Sequence, residues 1–165
     1  MTQKPLVAYM HTLVDSVGVA GSANTYLSVF NPSGSGIVAS ALLLDVQAYS
    51  TGATLIGESL QAYRISAASG GTAITAAAVN RFNTLHPDPT CVVRVGNPTI
   101  TTVGTSLRGV SPTISSGVGT GAPSGIQPPG GASFLFQPGE GIAFRTDDGD
   151  VDAFWNISYV WGEAS

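Results

Sequence analysis

Apolar and polar residues alternate most regularly near the end of the chain. Between residues 153 and 161 every second side chain is apolar: Ala153, Trp155, Ile157, Tyr159 and Trp161. Two polar side chains, Asn156 and Ser158, occupy intervening positions. A period of two residues is typical of a strand that buries one face and exposes the other. We therefore predict a half-buried strand over residues 153–161.

Shorter apolar runs throughout the chain also have the length of strands. Clusters rich in Gly, Pro, Asn, Asp and Ser separate them, at residues 31–36, 69–72, 87–89, 138–141 and 147–150. Glycine supplies the positive φ angles of tight turns, and proline stops a strand from continuing. The predicted strands are 26–30, 37–46, 58–65, 79–82, 91–95, 106–110, 132–136, 142–145 and 153–161. About nine short strands at near-regular spacing indicate a single all-β domain over residues 1–165, a sandwich or barrel rather than a parallel α/β sheet.

Residues 1–20 and 111–131 depart from this rhythm. In the first segment the apolar residues Leu6, Met10, Leu13 and Val17 lie three or four positions apart, which is close to the spacing of a helix. Because several β-branched residues weaken helix propensity there, we predict an N-terminal arm that is extended or briefly helical. The second segment has sixteen Gly, Pro, Ser or Thr residues in twenty-one positions, which predicts a long Gly/Pro/Ser-rich loop.

Neither segment is well suited to form structure alone, so we expect one or both to contact neighbouring chains. An apolar face on the arm supplies the candidate assembly contacts, which are Leu6, Tyr9, Met10 and Leu13. The alternative is that these residues complete the core of their own protomer.

The chain is poor in charge. Charged residues make up 10% of it, against roughly 25% in an ordinary soluble domain. Since a soluble monomer needs charge to stay dispersed, we expect a closed homo-oligomer that hides part of the surface. The six Lys and Arg residues are scattered singly, whereas tight binding to nucleic acid needs several of them on phosphates together. The longest strongly apolar run, residues 37–44, is far shorter than the roughly 20 residues that span a bilayer, so we predict neither a nucleic-acid nor a membrane partner.

Residues 34–39 form a Gly-x-Gly-x-x-Ala motif after an apparent strand, with Glu58 about twenty residues further on. In a dinucleotide-binding fold, such glycines let the chain approach a pyrophosphate at the start of a helix. The favoured alternative is a hairpin loop, because Asn31-Pro32 initiates a turn and no helix cap follows. We predict no cofactor.

Three aspartates, Asp148, Asp150 and Asp152, alternate as in the first half of a calcium loop. Such a loop needs a glycine at its sixth position and a bidentate glutamate at its twelfth. The chain has Ala153 and Tyr159 there, so we predict a turn between two strands and no metal site.

Candidate nucleophilic chemistry is limited to one cysteine and two histidines. Cys91 lies five residues from His86, so a Cys–His pair is one alternative. The other is a small buried cysteine, which is favoured because free cysteine is among the most often buried residue types. The late aromatics could line a sugar site, but we interpret most of them as core. We predict no enzymatic activity.

Four segments resemble small virion proteins of tailed bacteriophages: residues 26–36 (YLSVFNPSGSG), 63–74 (YRISAASGGTAI), 137–144 (QPGEGIAF) and 153–161 (AFWNISYVW). The second is the most specific and is similar to capsid decoration (cement) and related head proteins. The resemblance implies an antiparallel β-sandwich of jelly-roll type that assembles as a homotrimer. It also implies a virion protein without enzymatic activity, made in the host cytoplasm, that binds major capsid protein subunits on the outer capsid surface. The alternative is a tail or head-fibre protein that binds a host surface glycan.

Overall fold

The computed structural model describes residues 7–17, 21–50, 59–110, 124–126, 134–148 and 153–164. These residues form strands joined by turns, with one short 3-10 turn at Ala76–Ala78. In chain order the strands are β1 (Val7–Val17), β2 (Asn24–Phe30), β3 (Val38–Ser50), β4 (Leu60–Ser69), β5 (Thr72–Ala73), β6 (Asn80–Arg81), β7 (Val92–Val95), β8 (Thr99–Thr102), β9 (Arg108–Val110), β10 (Ser124–Ile126), β11 (Phe134–Phe136), β12 (Gly141–Thr146) and β13 (Ala153–Ala164). Each of the nine predicted strands overlaps an observed one.

The strands pair antiparallel in two sheets. Sheet 1 has the order β10-β3-β13-β1-β6, and β11 also pairs with β3. Sheet 2 has the order β5-β7-β2-β12-β4-β8, and β9 also pairs with β4. The prediction of an all-β antiparallel sandwich is therefore confirmed.

The connections between the sheets follow the jelly-roll pattern. Strands β1, β2, β3 and β4 alternate between sheet 1 and sheet 2. The last two strands then insert among them: β12 lies between β2 and β4, and β13 lies between β3 and β1. This is the double Greek-key arrangement of a two-sheet jelly roll. The hairpin predicted at residues 31–36 is wrong, because β2 and β3 belong to different sheets and the loop crosses between them.

Strand β13 carries much of the core between the sheets. Its burial alternates as predicted: Trp155, Ile157 and Tyr159 are fully buried, whereas Asn156 and Ser158 are partly exposed. Aromatic rings form a continuous row from Tyr9 in sheet 1 through Trp161 and Tyr159 to Phe144 in sheet 2. Their centroids are 5.7, 6.0 and 5.1 Å apart along the row. Each such pair adds about 0.5–1.5 kcal/mol beyond burial.

Residues 7–17, which belong to the predicted N-terminal arm, form a strand inside sheet 1. Strand β1 pairs with β13 from Val7 opposite Glu163 to Val17 opposite Phe154, with one bulge after Leu13. The extended form of the predicted arm is therefore observed, and the helical form is wrong over these residues. Of the predicted loop 111–131, the structure describes only β10, which pairs with β3.

Candidate functional site

The most unusual side chain of the sandwich is a buried acid at the end of β13. Glu163 is 6% exposed, and its carboxylate accepts three N–H groups. Thr90 N and Cys91 N donate to it over 2.9 Å each, and Trp161 Nε1 donates over 3.0 Å. A carboxylate removed from water is costly unless such hydrogen bonds replace its hydration. Glu163 therefore joins the end of sheet 1 to the chain entering β7 of sheet 2.

No described cation forms an ion pair with Glu163. Among the described residues, the ion pairs are Arg64–Glu140, Arg81–Asp88 and Arg145–Asp147, and none includes Glu163. Burial and then the charge of Glu163 raise the pKa of Tyr9 to about 12. Burial, the charge of Glu163 and a hydrogen bond with Glu163 raise the pKa of the Cys91 thiol well above its usual range. Glu163 thus acts as a negative charge on Tyr9 and Cys91.

A cavity of about 170 Å³ opens beside this carboxylate. Its lining residues are Val7, Tyr9, Ile37, Pro87, Asp88, Thr90 and Glu163. The Tyr9 hydroxyl donates a 3.0 Å hydrogen bond to the Pro87 carbonyl. Its only hydrogen is therefore not available to a ligand in the cavity. Because Asp88 and Thr90 are exposed, the mouth of the cavity faces solvent.

The chain from residue 82 to residue 90, the 82–90 loop, forms one side of this cavity. An Asx turn begins it, since Asn83 accepts from Leu85 N through its side chain (2.9 Å) and from His86 N through its carbonyl (3.0 Å). Arg81 holds the far side through a 3.0 Å hydrogen bond to the His86 carbonyl and an ion pair with Asp88. The loop is therefore fixed at both ends by polar contacts.

Two large apolar side chains of this anchored loop point into solvent. Phe82 is 63% exposed and Leu85 is 90% exposed. The backbone N–H of Phe82 is hydrogen-bonded to the Ala8 carbonyl of β1 over 3.5 Å, which ties the start of the loop to sheet 1. The 82–90 loop therefore exposes two apolar side chains on a backbone that hydrogen bonds hold in place. This arrangement is suited to contact with another macromolecule.

The predicted assembly contacts fall in different environments. Tyr9 is 1% exposed and stacks on Trp161, so it completes the core of its own protomer, the alternative that the sequence left open. Leu13 is partly buried and packs against the same core, and Met10 is also partly buried. Leu6 lies outside the described residues. Contact of Met10 or Leu13 with a neighbouring chain stays a prediction.

The geometry favours the buried-cysteine interpretation over a Cys–His pair. Cys91 is buried, and its raised pKa keeps the thiol protonated, whereas a nucleophile needs the thiolate. The Nδ1 atom of His86 is buried without a hydrogen-bond partner among the described residues. Most of the late aromatics belong to the core, as predicted; Trp155, Tyr159 and Trp161 are examples.

The other candidate motifs form no site in the described residues. Gly34 and Gly36 adopt φ angles of 79° and 71° in a loop that leads into strand β3, so the helix required for pyrophosphate binding does not follow. Asp150 and Asp152 lie outside the described ranges. Within those ranges no three His, Cys, Asp or Glu side chains gather where they could hold a metal ion. None of the described residues forms a helix long and apolar enough to cross a membrane.

Sequence reasoning missed Glu163, although a signal was present. Continuing the two-residue period of β13 past Trp161 places Glu163 on the same buried face as the aromatics. An acid at a buried position needs hydrogen-bond donors, and that need identifies it as a special site. No protein-family model matches the chain, and neither the characterised proteins nor the solved structures include one with significant similarity to it.

Proposed function

We propose that this chain is a structural virion protein of a tailed bacteriophage that decorates and stabilises the capsid. In this role it binds major capsid protein subunits on the outer surface and catalyses no reaction. The observation that carries the proposal is the anchored 82–90 loop, which exposes Phe82 and Leu85 on a jelly-roll sandwich. The jelly roll is a framework shared by viral capsid and lectin domains.

The loop has the properties of a preorganised contact. Binding is weakened when loops and side chains must be ordered, so a backbone that is already fixed loses less on association. At protein interfaces a few side chains that become fully desolvated supply most of the affinity. Phe82 and Leu85 are exposed apolar side chains that a partner could desolvate, and the hydrogen bonds of Asn83 and Arg81 fix the backbone that carries them.

A decoration role also accounts for the low charge. With 10% charged residues, the chain is suited to a surface partly covered by other subunits. We propose a homotrimer in which three copies of the loop contact the capsid together. Three linked contacts raise the overall affinity for the capsid above that of one contact alone. A protein that binds the assembled lattice better than free capsid subunits stabilises the shell.

The test is binding of purified protein to capsids that lack it. We expect the double variant Phe82→Ser/Leu85→Ser to lose most of its occupancy on the capsid while keeping its thermal stability, because both side chains are exposed. The matched control is Val103→Ser/Leu107→Ser, which removes two other exposed apolar side chains and should bind like the natural chain. Equal occupancy of the loop variant and the natural chain would overturn the proposal that this loop is the contact.

A further inference from the structure

We propose that the cavity beside Glu163 is a binding site for an alkylammonium group, such as the end of a lysine side chain. This inference concerns a second site and does not rest on the proposed virion role. It follows from the charge, the hydrogen-bonding groups and the size of the cavity, taken in turn.

The described residues that line the cavity leave one negative charge, that of Glu163, without an ion-pair partner. The charge of Asp88 at the mouth is matched by the ion pair with Arg81. Glu163 has no such partner among the described residues, and its three hydrogen bonds come from neutral N–H groups. A bound cation would supply the missing charge where the surroundings screen it poorly.

The polar atoms of the cavity can accept hydrogen bonds from a ligand, but they have almost no hydrogen left to donate to one. Ionised Glu163 and Asp88 only accept. The Tyr9 hydroxyl hydrogen is used by the Pro87 carbonyl, which leaves its oxygen as an acceptor. The backbone N–H of Thr90 is used by Glu163. An ammonium group has three donors and no acceptor, so it matches this wall better than an anion, which needs donors from the site, or a hydroxyl, which offers one donor only.

The size and apolar lining suit a short alkyl chain. A volume of about 170 Å³ slightly exceeds the roughly 150 Å³ that accommodates benzene in another protein. Val7 and Ile37 line the cavity and provide an apolar surface for methylene groups, as the stems of lysine side chains require. The ammonium group would then reach Glu163, while the alkyl chain of the ligand extends past Asp88 toward solvent.

Trp161 provides a direct reporter of binding. Its indole N–H donates to Glu163, so a cation at that carboxylate should shift the indole signal in the nuclear magnetic resonance spectrum. We expect n-butylammonium chloride, titrated into the full-length protein, to give a saturable shift of this signal. The neutral isostere 1-butanol should give none, and Trp161→Phe assigns the signal against that of Trp155.

Removing the charge of Glu163 should remove the binding. Glu163→Gln keeps an acceptor oxygen, and we expect its affinity for n-butylammonium to fall by roughly ten- to a hundredfold. Asp147→Asn removes one negative charge away from the cavity and should leave the affinity unchanged. Nα-acetyl-lysine amide distinguishes the source of the group: binding like that of butylammonium assigns the cavity to protein side chains, and failure restricts it to free amines.

The comparison of the two butyl probes uses the natural chain and so stands even if Glu163→Gln does not fold. The same saturable shift with 1-butanol would overturn the proposal, because the cavity would then recognise the alkyl chain alone. The absence of a saturable shift with n-butylammonium would overturn it as well.

Discussion

Trp161 donates its indole N–H to the carboxylate of Glu163, two residues further along β13, over 3.0 Å. This bond joins two parts of the molecule. Trp161 lies in the row of aromatic rings that crosses the core, and Glu163 holds the N–H groups of Thr90 and Cys91 at the entry to β7. One carboxylate therefore connects sheet 1, sheet 2 and the cavity beside the 82–90 loop.

We expect Glu163→Ala to lower the free energy of unfolding by about 3 kcal/mol or more, because it leaves three N–H donors without their acceptor. Glu163→Gln keeps one acceptor oxygen and should cost about 1–2 kcal/mol. Urea denaturation of the two variants measures both values. Equal losses for Ala and Gln would contradict the role of the carboxylate as an acceptor for these donors.

His11 should make the stability of the protein depend on pH. Burial in β1 lowers the pKa of His11 from its ordinary value of 6.5, so the folded state binds this proton less readily than the unfolded state. The His11 contribution is therefore fully present above pH 6.5 and is lost as the pH falls from there toward the lowered pKa of the folded state. In that window the slope reaches at most about 1.4 kcal/mol per pH unit.

The measurement is the free energy of unfolding of the natural chain minus that of His11→Gln, followed from pH 8 to pH 5. Glutamine cannot take up a proton, so carboxylate titrations common to both proteins cancel in the difference. We expect the difference to fall below pH 6.5. A difference that does not change with pH would show that His11 titrates alike in both states.

Gly141 should tolerate no side chain. A Cβ atom there would overlap the carbonyl oxygen of Val29 and the Cα atom of Phe30 on the neighbouring strand β2. We expect Gly141→Ala to cost about 3 kcal/mol, near the upper end for overpacking, because backbone atoms must move. The control is Gly34→Ala, where nothing lies within 4 Å and only the positive φ is strained, at about 1 kcal/mol. Equal thermal shifts for the two variants would contradict the close contact.

The proposed trimer has a defined mass. Light scattering on the purified protein should give about 50 kDa, three times the 16.7 kDa of one chain, if the interface exceeds the roughly 1,000 Å² typical of stable contacts. A monomer at micromolar concentration would refute assembly before capsid binding and leave only assembly on the lattice.

The strands could be predicted where local signals agreed. Alternation and aromatic content marked β13, and the glycines of 69–72 and 138–141 marked turns that do adopt positive φ at Gly70 and Gly139. Strand β1 was harder, because the near-helical spacing of Leu6, Met10 and Leu13 competed with the two-residue period of its buried side chains. Pairing with β13, at the other end of the chain, decides between the two patterns.

Features that depend on residues far apart in the chain could not be predicted from the sequence. The loop at residues 31–36 has the composition of a hairpin, yet the sheet that each flanking strand joins is set by β12 and β13, which follow much later. Glu163 could have been recognised as an acid on a buried face. Its donors at Thr90 and Cys91 could not, since they lie more than seventy residues earlier in the chain, at the entry to β7.

The central claim is that the chain covers the outside of a phage head. The most direct measurement is labelling of intact particles with gold-conjugated antibody against this protein, viewed by electron microscopy. We predict label distributed over the whole head surface. Label confined to the tail or to fibres would contradict the claim and favour the glycan-binding alternative, and particles without label would exclude both.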